Sequence, residues 1–140
     1  MTDCNELKKT LSQKRDAARK NRRREDFGEM MERYMREKGF SSNTLSAAAN
    51  LSDRTVRRLK GDDMYEPNRE MIIAVCVGMR LTLDESLDLL YKSEYRLRAD
   101  SPLDAIYLEI LAHEGKYSVL EWNEVLDMMG MKLLGGGRYS

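Results

Sequence analysis

Proline, histidine and cysteine are scarce in this chain of 140 residues: two prolines, one histidine and two cysteines. So few prolines leave long helices uninterrupted. With His113 as the only histidine, no His-based metal cluster or catalytic triad assembles, and His113 reads as a surface or helix-end residue. Cys4 and Cys76 offer no disulfide framework. Cys76 lies in the apolar run 71–79, where a buried, reduced thiol is expected, and Cys4 sits near a terminus. That run is the longest apolar one and falls far short of a membrane span. The first residues carry no apolar leader, so a cytoplasmic protein is the expectation. A phosphate-cradling glycine loop is also missing, because Gly135-Gly136-Gly137 has no helix after it. With 24 carboxylates, chance acidic pairs are common and none is assigned a catalytic role. No enzyme activity, cofactor or metal is expected.

Helix formers are what the chain has in quantity. Leu, Glu, Lys and Arg are abundant, ten residues are Met, and no Val/Ile/Thr-rich alternating run appears. The expectation is an all-α protein. Net charge is zero but unevenly spread. Residues 1–61 hold 16 Lys and Arg against 9 Asp and Glu, and residues 62–140 hold 8 against 15. A basic half beside an acidic half suggests that one end meets a polyanion.

Residues 1–26 form a basic lead with only Leu7 and Leu11 as sizeable apolar groups. Alone it should be disordered or a lone solvated helix, in which Arg15, Arg19 and Arg23 would line one side. Arg22 and Arg24 add to its charge. From Phe27 the pattern turns amphipathic, with Phe27, Met30, Met31, Tyr34 and Met35 at helical spacing and Gly39 as the C-terminal cap. A second helix, capped by Ser42 or Asn43, runs to Ala49, and Asn50 tolerates the positive φ of a turn. Ser52 caps a third helix over 53–60, with Val56 and Leu59 inward. A fourth helix, 69–79, is capped by Asn68 and apolar nearly all round; a fifth begins near Asp84. Pro102 opens a sixth, and Ser118 caps a last one carrying Val119, Trp122, Val125, Leu126 and Met129. The end, 135–140, reads as a flexible tail.

The informative segment is 42–60. Ala47, Ala48 and Ala49 are small enough for a second helix to cross closely after a short turn. Leu45, Leu51, Val56 and Leu59 would hold the pair on the core. Asp53, Arg54, Thr55, Arg57, Arg58 and Lys60 are left facing out, and four of these six are cationic. The stretch 45–59, LSAAANLSDRTVRRL, resembles the helix-turn-helix of the phage-repressor and Cro class, the XRE family. The resemblance runs on through Pro67, the apolar fourth helix, residues 79–84 and Leu89-Leu90, covering roughly 27–92. This chain departs from it with Ser46 where the family often has Ala, Asn50 where it often has Gly, and Gly61 one position early.

The resemblance implies a five-helix repressor-like domain, 27–99, between the basic N-terminal arm, 1–26, and a helical C-terminal extension, 100–140. It further implies a sequence-specific regulator of transcription that binds double-stranded DNA, commonly as a homodimer. Carried over by position, Asp53, Arg54, Thr55 and Arg58 would touch bases. Arg can bond a guanine edge bidentately, Thr55 can meet a thymine methyl, and Asp53 either accepts from cytosine or orients Arg57. Ser42, Asn43 and Ser52, near helix N-termini, would meet phosphates with Arg57 and Lys60. Arg15, Arg19, Arg22, Arg23 and Arg24 would form the arm, following the backbone or entering the minor groove. Tyr107, Trp122 and Leu126 are candidates for a dimer or partner contact, with Met128, Met129 and Met131 as an adaptable surface. The alternatives are a protein-interaction module carrying a helix-turn-helix, such as an antitoxin or a phage- or plasmid-encoded inhibitor, and RNA binding through the arm.

Overall fold

The computed structural model describes residues 3–61 and 65–135, and side chains throughout these except at 19–26. The described residues form helices joined by short turns and contain no strand. None of the helices is long and apolar enough to cross a membrane.

The first helix, α1, spans Cys4–Lys38 without interruption. The lead and the amphipathic helix are therefore one element. Asp3 caps it through the Asn5 N–H, and Gly39, at φ 80°, stops it in the left-handed conformation. Reading the helix only from Phe27 located where the apolar spacing begins in the sequence, not where the backbone becomes helical. Lys, Arg, Glu and Ala between 6 and 26 are good helix formers with nothing to break them. Phe27, Met31, Tyr34 and Met35 are buried, while Leu7 and Leu11 are exposed.

Helix α2, Ser42–Ala49, is capped one residue earlier than expected. Ser41 accepts from the Thr44 N–H at 3.2 Å, and the Ser41 N–H donates to the Thr44 hydroxyl at 2.8 Å. Asn50 closes it at φ 57°. After Leu51 and Ser52 comes α3, Asp53–Gly61, capped by Ser52 Oγ on the Thr55 N–H at 3.0 Å. It includes the glycine expected to end it. Helix α4, Arg69–Gly78, begins at Asn68, whose side chain accepts from the Met71 N–H at 2.8 Å. All six residues from Ile72 to Val77 are buried, which makes α4 the central helix. Burial pushes the Cys76 thiol up to about 12, so it stays protonated and inert near neutrality. Helices α5, Leu83–Lys92, α6, Pro102–Ala112, and α7, Val119–Met128, follow. Capping boxes at Thr82–Glu85 and Ser118–Glu121 start α5 and α7, and Ser101 caps α6 with proline in its first turn.

One hydrophobic core joins all of these. It runs from Phe27 through Leu45, Val56 and Ile73 to Tyr107, Val119, Leu126 and Leu134, so residues beyond 100 share a core with the helices before them. A buried polar network reinforces the join. Asp104 accepts from Arg69 at 2.7 Å and from the Arg98 N–H at 2.9 Å, and Tyr107 donates to Glu70 at 2.8 Å. After α7 the chain doubles back. The Asn123 amide brackets Leu134, accepting from its N–H at 2.7 Å and donating to its carbonyl at 3.1 Å. Gly135 then lies on the α2–α3 turn, where a Cβ would sit 2.7 Å from the Asn50 carbonyl oxygen. The rest of the expected tail, 136–140, lies outside the described residues.

The tightest helix crossing is at Gly28, where a Cβ would sit 2.5 Å from the Lys60 carbonyl oxygen. Since backbone, not a movable side chain, opposes it, Gly28→Ala should destabilise the fold by about 1–3 kcal/mol in urea unfolding. Gly61→Ala is the control. Open space surrounds that position, so stability should hold or rise, by up to about 1 kcal/mol from helix propensity.

Candidate nucleic-acid interface

The cationic face of α3 is held out by what lies beneath it. Val56 and Leu59 are wholly buried, and so is Ala49 at the end of α2. Gly78 on α4 lets α2 approach so closely that a Cβ there would lie 3.1 Å from the Ala48 and Ala49 backbone. Small residues at this crossing therefore fix the height of the α2–α3 pair above α4. The opposite side of α3 presents Arg54 and Arg57 exposed, with Asp53, Thr55, Arg58 and Lys60 half-buried.

These side chains are not equally free. Arg57 donates to Asp53 at 2.9 Å. The Asn43 amide nitrogen, turned toward Asp53, donates to both of its oxygens at 2.8 and 2.6 Å. Asp53 thus ties the first turn of α2 to α3 and holds Arg57 one turn away. Of the two roles open to Asp53, the geometry contains the one that orients Arg57. The Thr55 hydroxyl is engaged by Ser52 Oγ at 2.9 Å, inside the cap that starts α3. Arg58 lays its guanidinium over the Tyr65 ring, 4.5 Å from the centroid, and the Tyr65 hydroxyl points to Met71 Sδ at 3.1 Å. Such a stack spreads the guanidinium flat and restricts its rotamers. Arg54 makes no hydrogen bond or ion pair among the described residues and is the freest group on the face. Tyr65 escaped the sequence reading because it lies in a loop with no periodicity; an aromatic soon after a cationic helix was the only cue.

Ser42 is half-buried and Asn43 exposed at the start of α2, with Ser52 exposed at the start of α3. Both helix N-termini therefore lie beside the Asn43–Asp53 link. Lys60, at the other end of α3, meets α1 through the Gly28 crossing, so the basic segment of α1 departs from that end. Arg15 is exposed and paired with Asp16 at 3.2 Å. The side chains of Arg19, Arg22, Arg23 and Arg24 lie outside the described residues.

Two of the three residues expected at a partner surface are elsewhere. Tyr107 is wholly buried, its hydroxyl on Glu70, and Leu126 is buried against the core. Neither can reach a partner, because α6 and α7 turn these faces toward α4. Trp122 is half-buried, edge-on to His113 and Tyr117 at ring separations of 5.1 and 5.5 Å. The large apolar groups exposed along α7 and its cap are Leu120, Val125, Met128 and Met129, the two methionines being among those expected at such a surface.

No family profile, curated protein or solved structure matches this chain.

Proposed function

We propose that the chain is a regulator of transcription that binds double-stranded DNA in a sequence-specific way. Its α2–α3 pair is read as a helix-turn-helix within a repressor-like domain of five helices, α1 to α5, in keeping with the resemblance to the XRE family. The observation that carries this reading is the outward face of α3. Two exposed arginines and two half-buried cations stand on a helix whose other side is locked into the core. A short helix of this kind matches the size and charge of a major-groove reader. Arg54 and Arg58 are assigned to base edges, and Arg57 and Lys60 to phosphates. A homodimer meeting two half-sites about 34 Å apart, and a cytoplasmic location, belong to the same proposal.

Fluorescence anisotropy with a labelled duplex at several salt concentrations tests it. Affinity should fall with rising salt, and Lys60→Gln should weaken binding evenly across sequences while reducing the logarithmic salt slope by about 1. Absence of duplex binding at low salt, or tighter binding to single-stranded RNA under the same conditions, would overturn the reading.

A further inference from the structure

Two surfaces left open among the described residues complement each other. The first is the outer side of α7. Leu120 is 63% exposed, Val125 45% and Met128 85%. They lie away from the Val119, Asn123 and Leu126 face that enters the core. Exposed Glu124 lies between Leu120 and Met128 and exposed Asp127 beside Leu120, both to one side of Val125 and Met128, and α7 contains no Lys or Arg. Beside this stripe is a groove of about 150 Å³ lined by Tyr117, Glu121, Trp122 and Val125. Apolar, Met-containing and acid-rimmed, the face suits a basic amphipathic helix.

The second surface is such a helix. At the start of α1, Cys4, Leu7 and Leu11 share one side at i, i+3 and i+7 spacing, and all are exposed. Lys8, Lys14 and Arg15 flank that stripe. Residues 3–18 are exposed except for half-buried Ser12, so this stretch of α1 is not packed into the core of the described residues. It cannot turn back onto α7 either. Helix α1 is continuous, its direction is set by the buried residues from Phe27 onward, and Leu7 lies about 30 Å up the axis from them. A solitary helical half of this length is marginal in water and gains from a partner.

We propose that the outer face of α7 is the docking site for the N-terminal half of α1 from a second copy of this chain. Leu7 and Leu11 lie along Val125 and Met128, and Lys8, Lys14 and Arg15 face Glu124 and Asp127. Reciprocal exchange forms the contact twice about a two-fold axis and closes the dimer. The proposal supplies a contact for the homodimer of the proposed function and rests on that part of the reading, not on DNA binding.

Sedimentation velocity on the full chain over a concentration series tests it. The unaltered chain should dimerise, more weakly at high salt. Leu7→Lys with Leu11→Lys, or Val125→Lys with Met128→Lys, should each raise the dissociation constant at least about tenfold. All four sites are on the surface, so urea midpoints compared at concentrations low enough for every protein to be monomeric should not change. A charge exchange adds the decisive arm. Lys8→Glu/Lys14→Glu/Arg15→Glu and Glu124→Lys/Asp127→Lys should each be monomeric alone, and mixing the two should restore a heterodimer. A chain that stays monomeric at every concentration would overturn the proposal. So would a dimer that survives the α7 changes, or a charge-exchange mixture that fails to pair.

Discussion

If α3 reads bases as proposed, replacing both Arg54 and Arg58 with alanine should erase any preference for one duplex sequence over another while leaving the fold in place. Each bidentate arginine–guanine contact is worth about 1–3 kcal/mol of discrimination, or roughly 5- to 160-fold. Losing both should bring specific binding down to the level of random duplex. The two single changes should differ. Arg54 is exposed and engages nothing among the described residues, so Arg54→Ala reports on the ligand alone. Arg58 also covers the Tyr65 ring, so Arg58→Ala should cost the fold about 0.5–1 kcal/mol as well. Tyr65→Leu separates these effects. It keeps Arg58 but removes its platform, and should weaken specific binding less than Arg58→Ala does. Competition binding with specific and random duplexes, alongside urea unfolding, checks all four variants. Sequence preference that survives the double change would remove α3 from the reading role.

The largest expected effect on stability lies far from α3. Asp104 is buried, accepting from Arg69 and from the Arg98 N–H. Asp104→Ala would leave Arg69, only 26% exposed in its side chain, without its closest partner. Breaking a pair in this setting costs about 3–5 kcal/mol, and urea unfolding should show a loss near the lower end because Arg69 retains Glu70 at 3.7 Å. Glu70 brings pH into the same network. Burial works to raise its pKa, but the Tyr107 hydroxyl, its own backbone N–H, Lys132 and Arg69 together hold it below the ordinary value of 4.5. A depressed carboxylate stabilises the fold fully above its unfolded value, and that stability is lost as pH falls through the ordinary range toward the lowered one. Glu70→Gln should therefore lose stability at neutral pH and show a smaller further drop between pH 6 and pH 3 than the unaltered chain. Equal acid sensitivity in both proteins would show that Glu70 does not carry the effect.

Local chemistry was legible in the sequence, and the partners of each face were not. The caps at Gly39, Ser52, Asn68 and Ser118 could be read directly, because a cap is a bond between residues two or three positions apart. The burial of Val56 and Leu59 followed from periodicity, which also left the α3 cations facing out. Periodicity says nothing about the length of an unburied helix, so the 35 residues of α1 appeared as an arm and a helix. Helices α6 and α7 each carry two apolar sides, and nothing local tells which one enters the core. Tyr107 and Leu126 were thus placed on the wrong side, and Leu120 and Val125 received no role. The Asn43–Asp53 link and the Tyr65 platform join separate elements and appear only once α2, α3 and the following loop are folded together.

The central claim is that the outward face of α3 reads duplex DNA. Selection from a random duplex library at a fixed, physiological salt concentration tests it most directly, run in parallel on the unaltered chain and on the Arg54→Ala/Arg58→Ala variant. The unaltered chain should enrich one motif with guanines at defined positions, and the variant should enrich none. No motif from the unaltered chain, or the same motif from both, would contradict the claim.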